Sequence, residues 1–170
     1  MLSIVSLDNI ARPRPGDHTI EAAITKWAIA ALGALLVAVT LLPWYSAHND
    51  GGSAQMAGWG VWTTTGEIDA SLRLMPLALL VYLPTGVMVY GALRGAFGIA
   101  VIGAMATFVA GLLPFMLEPA VDRHAPGGSA VAVEVTTAPQ LVVAVALIAS
   151  ITCWIGFARC VLRPAPREEA

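Results

Sequence analysis

WAIAALGALLVAVTLLPWY fills residues 27–45. The run is uncharged from Lys26 to Asp50, and a membrane-crossing helix needs roughly 20 predominantly apolar residues. A core helix of a water-soluble domain shows a polar stripe at helical period, and this run shows none. Pro43 is expected to help end the helix, with Trp44 and Tyr45 at the outer headgroup level and Ser46 to Asp50 in a solvated loop. Trp27 then lies about 26 Å away at helical rise, close to the thickness of one bilayer core.

Three further charge-free stretches follow, from Arg73 to Arg94, from Arg94 to Glu118 and from Glu134 to Arg159. The whole chain of 170 residues is 58% hydrophobic and 12% charged, about half the charge of a typical soluble domain. The predicted fold is an all-α integral membrane protein with four transmembrane helices at about 25–46, 72–93, 95–117 and 136–160. They form a membrane domain over 24–163, between an N-terminal segment (1–23) and a short tail (164–170). The first 23 residues do not resemble a cleaved leader: Asp8 interrupts a short apolar run, and Pro13 and Pro15 favour an extended segment. The first span is expected to be retained.

Lys and Arg set the orientation. Seven of the nine (Arg12, Arg14, Lys26, Arg94, Arg159, Arg163 and Arg167) fall on one side of this layout, leaving Arg73 and Arg123 on the other. Short loops rich in these residues stay in the cytoplasm. Both termini are therefore expected to be cytoplasmic, and the loops 47–71 and 118–135 to face outward from the cell membrane. Those outer segments hold six acids (Asp50, Glu67, Asp69, Glu118, Asp122 and Glu134), read as ordinary solvation. A net charge of −2 gives no reason to expect a nucleic-acid partner.

Within lipid, helices associate through small residues that let backbones approach. Candidate tracks are Ala30, Ala34 and Ala38 in the first span, and Ala96, Ala100 and Ala104 in the third. Gly103, Thr107 and Gly111 form a further track, the strongest candidate for helix packing. Pro84 sits near the middle of the second span, where it leaves the Leu80 carbonyl without its helical donor and kinks the helix. With Tyr82 and Thr85 beside it, this is a candidate ligand or gating site; a kink patched by polar neighbours is the plainer alternative. Gly91, Gly95 and Gly98 permit a tight turn that makes the second and third spans antiparallel neighbours. Cys153 and Cys160, seven apart, are too distant for a disulfide on one helix and read as packing residues.

An internal echo links two parts of the chain. GALLVAVTLLPWYS begins at Gly33 and GAMATFVAGLLPFML at Gly103, and GGSA recurs at 51–54 and 127–130. Each half then carries a β-favouring piece, GVWTTT at 60–65 and VAVEVTT at 131–137, so the outer loops are predicted to pair as a short β-ladder over the helix ends. Beyond it, Thr64 with Glu67 forms a candidate capping box leading through Asp69 and Arg73 into the second span. Trp59 and Trp62 suit either an anchor into lipid headgroups or a partner, or packing against their own strand.

Little else carries chemistry. His48 and Asp50 follow the first span, and Asp122 and His124 the third. If the two halves meet on the outer surface, these four are candidate metal ligands. The spans contain no His to hold haem and no ionisable residue for ion pumping, the outer loops hold no paired cysteines, and no Gly-rich phosphate loop follows a strand. No cofactor is called for.

LPWYS after the first span, TTTGEIDASLRLMPLALL entering the second and GALRGAFG at the tight turn resemble the small integral membrane proteins of actinobacteria associated with the tryptophan operon. The likeness covers residues 40–100. That family implies four spans and an accessory-type membrane protein, and carries over no catalytic residue. The expected function is thus a non-enzymatic accessory or interaction subunit in the lipid bilayer, binding other membrane proteins or itself. A small transporter or lipid- or small-molecule-binding protein using the Pro84 kink is the alternative.

Overall fold

The computed structural model describes residues 20–49, 51–66, 76–117 and 132–162. Four helices and one antiparallel sheet make up these segments, in the order α1 (Ile20–Val39), β1 (Pro43–Asn49), β2 (Gly52–Ala57), β3 (Trp62–Gly66), α2 (Ala78–Leu93), α3 (Phe97–Met116), β4 (Ala132–Val135) and α4 (Thr137–Leu162). α1, α3 and α4 are long and apolar enough to cross a membrane, whereas α2 is a shorter apolar helix of 16 residues. The helices pack in a ring, with α1 against α2, α2 against α3, α3 against α4 and α4 back against α1.

Many small residues line the inside of this ring, beside larger ones such as Ile29, Leu36, Val81, Met88 and Phe97, and bulky apolar side chains also cover the outside. Ala78, Ala92, Ala100, Ala104, Ala138, Ala146 and Ala149 are buried, whereas Leu83 (74% exposed), Met116 (77%) and Leu162 (78%) project outward. A protein in water buries its largest apolar side chains first. Here many large ones are left on the outside as well, which suits helices surrounded by hydrocarbon. Glycines set the closest approaches. A Cβ on Gly33 would lie 2.4 Å from Val89 of α2, and one on Gly156 2.6 Å from the Phe97 ring of α3. The proposed track on α1 faces the wrong way: Ala34 and Ala38 are exposed, and Ile29, Gly33, Leu36 and Thr40 point inward instead. Ala96, Ala100 and Ala104 of α3 do point inward.

The α2–α3 turn follows the tight geometry anticipated. Gly95 adopts φ +75°, its N–H donates to Ala92 O at 3.0 Å, and the Ala96 N–H donates to Gly91 O at 2.8 Å. This is the Schellman arrangement, and a Cβ at position 95 would strain it. Pro76 precedes α2 and lies outside the helix.

The sheet is larger than the ladder expected from sequence. Its order is β3-β2-β1-β4, with every pairing antiparallel. The first outer loop supplies three strands as a meander, and β4 from the second adds beside β1. β1 overlaps the end of the anticipated first span, so the helix stops at Val39 and the LLPWYSAHN segment turns into the sheet. Register shifts between Pro43 and Tyr45, and this irregularity lets consecutive residues Trp44 and Tyr45 both point inward. Both are 0% exposed, which overturns their expected headgroup placement. Thr64 is also corrected: it pairs with Ala54 inside β3 and does not cap a helix. Glu67, Asp69 and Arg73, along with the GGSA at 127–130, lie outside the described residues.

Candidate functional site

The densest set of specific contacts lies where the sheet meets the helix ends. Thr40, just past α1, donates from Oγ1 to Val37 O at 2.7 Å. Its hydroxyl proton is thereby used, so Tyr82 of α2 donates its O–H to Thr40 Oγ1, at 2.5 Å. The Thr40 carbonyl accepts from the Gly58 N–H at 3.1 Å, and Gly58 O accepts from the Ala78 N–H at the start of α2 at 2.7 Å. The β2–β3 turn therefore bridges α1 and α2. Gly58 is needed there for space, because a Cβ would fall 2.7 Å from Thr40 O and 2.8 Å from the Trp44 ring. Trp59 in the same turn meets Tyr82 edge to face, with ring centroids 4.9 Å apart.

Two further bonds tie the sheet to the remaining helices. Tyr45 donates its O–H to Pro114 O at 2.8 Å, satisfying a carbonyl in the last turn of α3 that has few helical partners. Thr136 donates from Oγ1 to Pro43 O, its N–H donates to Trp44 O at 3.0 Å, and its Oγ1 accepts from the Ala138 N–H at 3.3 Å. Thr136 is thus the N-cap of α4 and a clamp on β1. Burial pushes the Tyr45 phenol above its ordinary range, because the phenolate would lose its hydration. Thr40, Gly58 and Thr136 were not singled out from sequence, and Tyr45 only as a headgroup-level aromatic. Their signal is faint: a hydroxyl just before an apolar–Pro–aromatic exit, a Gly-Trp-Gly turn, and a Thr ahead of an apolar run.

The three residues around the kink do not form one site. Tyr82 turns towards α1 and the β2–β3 turn. Thr85 is buried and points to α3, where its O–H reaches Thr107 Oγ1 at 3.3 Å while Thr107 donates to Gly103 O at 2.9 Å. Pro84 lines an outward groove of about 560 Å³ between α2 and α3, together with Leu80, Leu83, Met105, Val109 and Leu113. The groove is apolar throughout its side chains, and Pro84 has no N–H to give to the Leu80 carbonyl.

Gly103, Thr107 and Gly111 occupy two interfaces. A Cβ on Gly103 would lie 2.4 Å from the Met88 nitrogen of α2, and one on Gly111 would lie 3.1 Å from Val142 of α4. Thr107 sits between them, fully buried.

Of the four metal candidates only His48 lies within the described residues; Asp50, Asp122 and His124 do not. His48 is exposed on β1, opposite Ser53 and Ala132. Ser46, two residues earlier on the same face, faces Glu134, so His48 and Glu134 are diagonal neighbours. Among the described residues no three His, Cys, Asp or Glu side chains gather to hold a metal ion. Cys153 and Cys160 are not joined in a disulfide, and the first is buried. The buried polar side chains among the described residues are hydroxyls: Thr25, Thr40, Thr85, Thr107 and Ser150.

No known protein family, curated protein or solved structure matches this chain.

Proposed function

We propose that this is a small multi-pass protein of the cell membrane, with both termini in the cytoplasm, that serves as a non-enzymatic accessory or interaction subunit. The observation that carries the proposal is the apolar exterior of the bundle. Its inside mixes small residues and bonded hydroxyls with larger side chains such as Ile29, Leu36 and Met88, and its outside is large apolar side chains that water would not tolerate over so broad a surface. The sheet then offers Ser46, His48, Ser53, Gln55, Thr63, Thr65 and Glu134 on one face by strand alternation, a rigid polar platform suited to a partner outside the bilayer. The resemblance to the tryptophan-operon-associated membrane proteins points the same way. Purification from native membranes in mild detergent tests this. A larger complex with stoichiometric companions, or a self-associated form, is expected; a lone monomer would overturn it.

The groove beside Pro84 favours a second reading, a transporter or a binder of lipids or small molecules. Its apolar lining suits a lipid chain or an apolar small molecule. On this reading Pro84→Ala alters uptake or ligand binding at normal expression, and unchanged flux across a broad solute panel after deletion counts against it.

A further inference from the structure

We infer that the β2–β3 turn, residues 58–61, is part of the lipid-facing surface, with Trp59 and Val61 in the outer leaflet completing the short second span. The inference rests on the membrane assignment proposed above. At helical rise the 16 residues of α2 extend about 24 Å, while the hydrocarbon core is about 30 Å thick. α1 and α3 have 20 residues each and reach about 30 Å. α2 therefore falls about 6 Å short of its neighbours.

The turn is fixed at the end where that length is missing. Gly58 O accepts the Ala78 N–H that opens α2, and the Trp59 ring lies against Tyr82, one helical turn further along. Part of the backbone of the turn is bonded within the protein. Gly58 uses both its groups, the Gly60 N–H donates to Ala57 O at 2.9 Å, and the Ala57 N–H donates to Val61 O at 3.3 Å. Such internal pairing lowers the cost of holding a non-helical segment at the edge of the hydrocarbon.

Side-chain exposure completes the case. Residues 57–61 (AGWGV) carry no charge. Trp59 is 40% exposed and Val61 56% exposed, alongside the exposed Leu41 and Leu42 at the end of α1 and Leu79 and Leu83 on α2. The apolar surface of the helices thus continues onto the turn without a polar break. Trp59, an amphipathic aromatic at the end of a span, suits the hydrocarbon–headgroup boundary. The neighbouring Thr63 to Thr65 rise away from it along β3 as an exposed polar strand.

Spin labels test the placement. Val61→Cys, Leu83→Cys and Thr65→Cys are made in full-length protein with Cys153→Ala and Cys160→Ala. Each is reconstituted in vesicles of phosphatidylcholine and phosphatidylglycerol, and collision with oxygen is compared with collision with a water-soluble nickel chelate. The oxygen-to-nickel ratio at position 61 is expected to match that at 83 and exceed that at 65 several-fold. A ratio at 61 like that at 65, with 83 in lipid, overturns the inference and leaves the membrane assignment standing. Water access at all three positions overturns both. A label at 61 shielded from both reagents means protein covers the turn, and this also overturns the inference. A second measurement needs no new cysteine: vesicles with brominated phosphatidylcholine should quench wild-type tryptophan fluorescence by a larger fraction than that of Trp59→Phe, with Trp27 and Trp154 as the residual quenched groups. Equal quenched fractions in the two proteins would count against lipid contact.

Discussion

Gly103 and Gly86 pose opposite demands within the same helix pair. A Cβ at 103 would meet the Met88 backbone at 2.4 Å and Pro84 O at 2.8 Å, atoms that move only if the whole helix moves. Gly103→Ala is expected to cost about 1–3 kcal/mol through overpacking. Gly86 has nothing within 4 Å of its would-be Cβ, so Gly86→Ala is expected to stabilise α2 by up to about 1 kcal/mol through helix propensity. Reversible unfolding in mixed detergent micelles reads both, and equal effects at the two positions would refute the packing account. Tyr45 makes a prediction in pH. Burial raises its phenol above the unfolded value of about 10. Its contribution is therefore complete below that pH and is lost as pH rises through the raised folded value. Alkaline titration followed by near-ultraviolet circular dichroism should show this loss, and Tyr45→Phe should remove that step. The variant also costs about 1–2 kcal/mol at neutral pH, through the lost bond to Pro114 O.

Among the elements, α4 and β4 meet at Thr136, whose one hydroxyl caps the helix and holds β1. Thr136→Ala is expected to cost about 1 kcal/mol as a cap, and Thr136→Ser to retain most of it. Thermal unfolding with hydrogen exchange at β1 checks this: exchange should quicken at Trp44 and Tyr45 in the alanine variant. The helices were legible in the sequence because long apolar runs almost free of charge leave few other choices, and Arg94, Arg159 and Glu134 mark their ends. β3 and β4 were legible from GVWTTT and VAVEVTT. β1 was not, because Pro-Trp-Tyr at the end of an apolar run looks the same whether it meets headgroups or turns into a sheet, and the irregularity at Trp44 breaks the strand period. β2, GSAQMA, holds mostly residues indifferent to strand formation; its pairing with β1 makes it one. At the kink, Tyr82, Pro84 and Thr85 are close in sequence, but a helix turns about 100° per residue, which sends them to three surroundings. Ala34 and Ala38 misled for a related reason: in a helix rich in alanine, spacing four selects a face without saying whether it points inward.

For the whole molecule, the ring of helices and the sheet together predict a topology. The sheet caps the ends of α1 and α3 and the starts of α2 and α4, so all its strands share one side of the bundle, and Arg94 and Arg159 lie towards the other. With Lys26, Arg94 and Arg159 towards that other side, reporter fusions at the C-terminus should report the cytoplasm, and fusions within the β2–β3 region the exterior. An exterior C-terminus would invert the map.

The strand order also dictates a sequence of events during synthesis. β1, β2 and β3 emerge together and can form their meander as soon as that segment has been made. β4 arrives only after α2 and α3 have been made. Until then the far side of β1, with the Pro43 and Trp44 carbonyls, has no strand to complete it. β4 is therefore the closing strand, joining the first third of the polypeptide to the helix that follows it, and a chain halted before residue 132 would leave that edge of β1 without its strand.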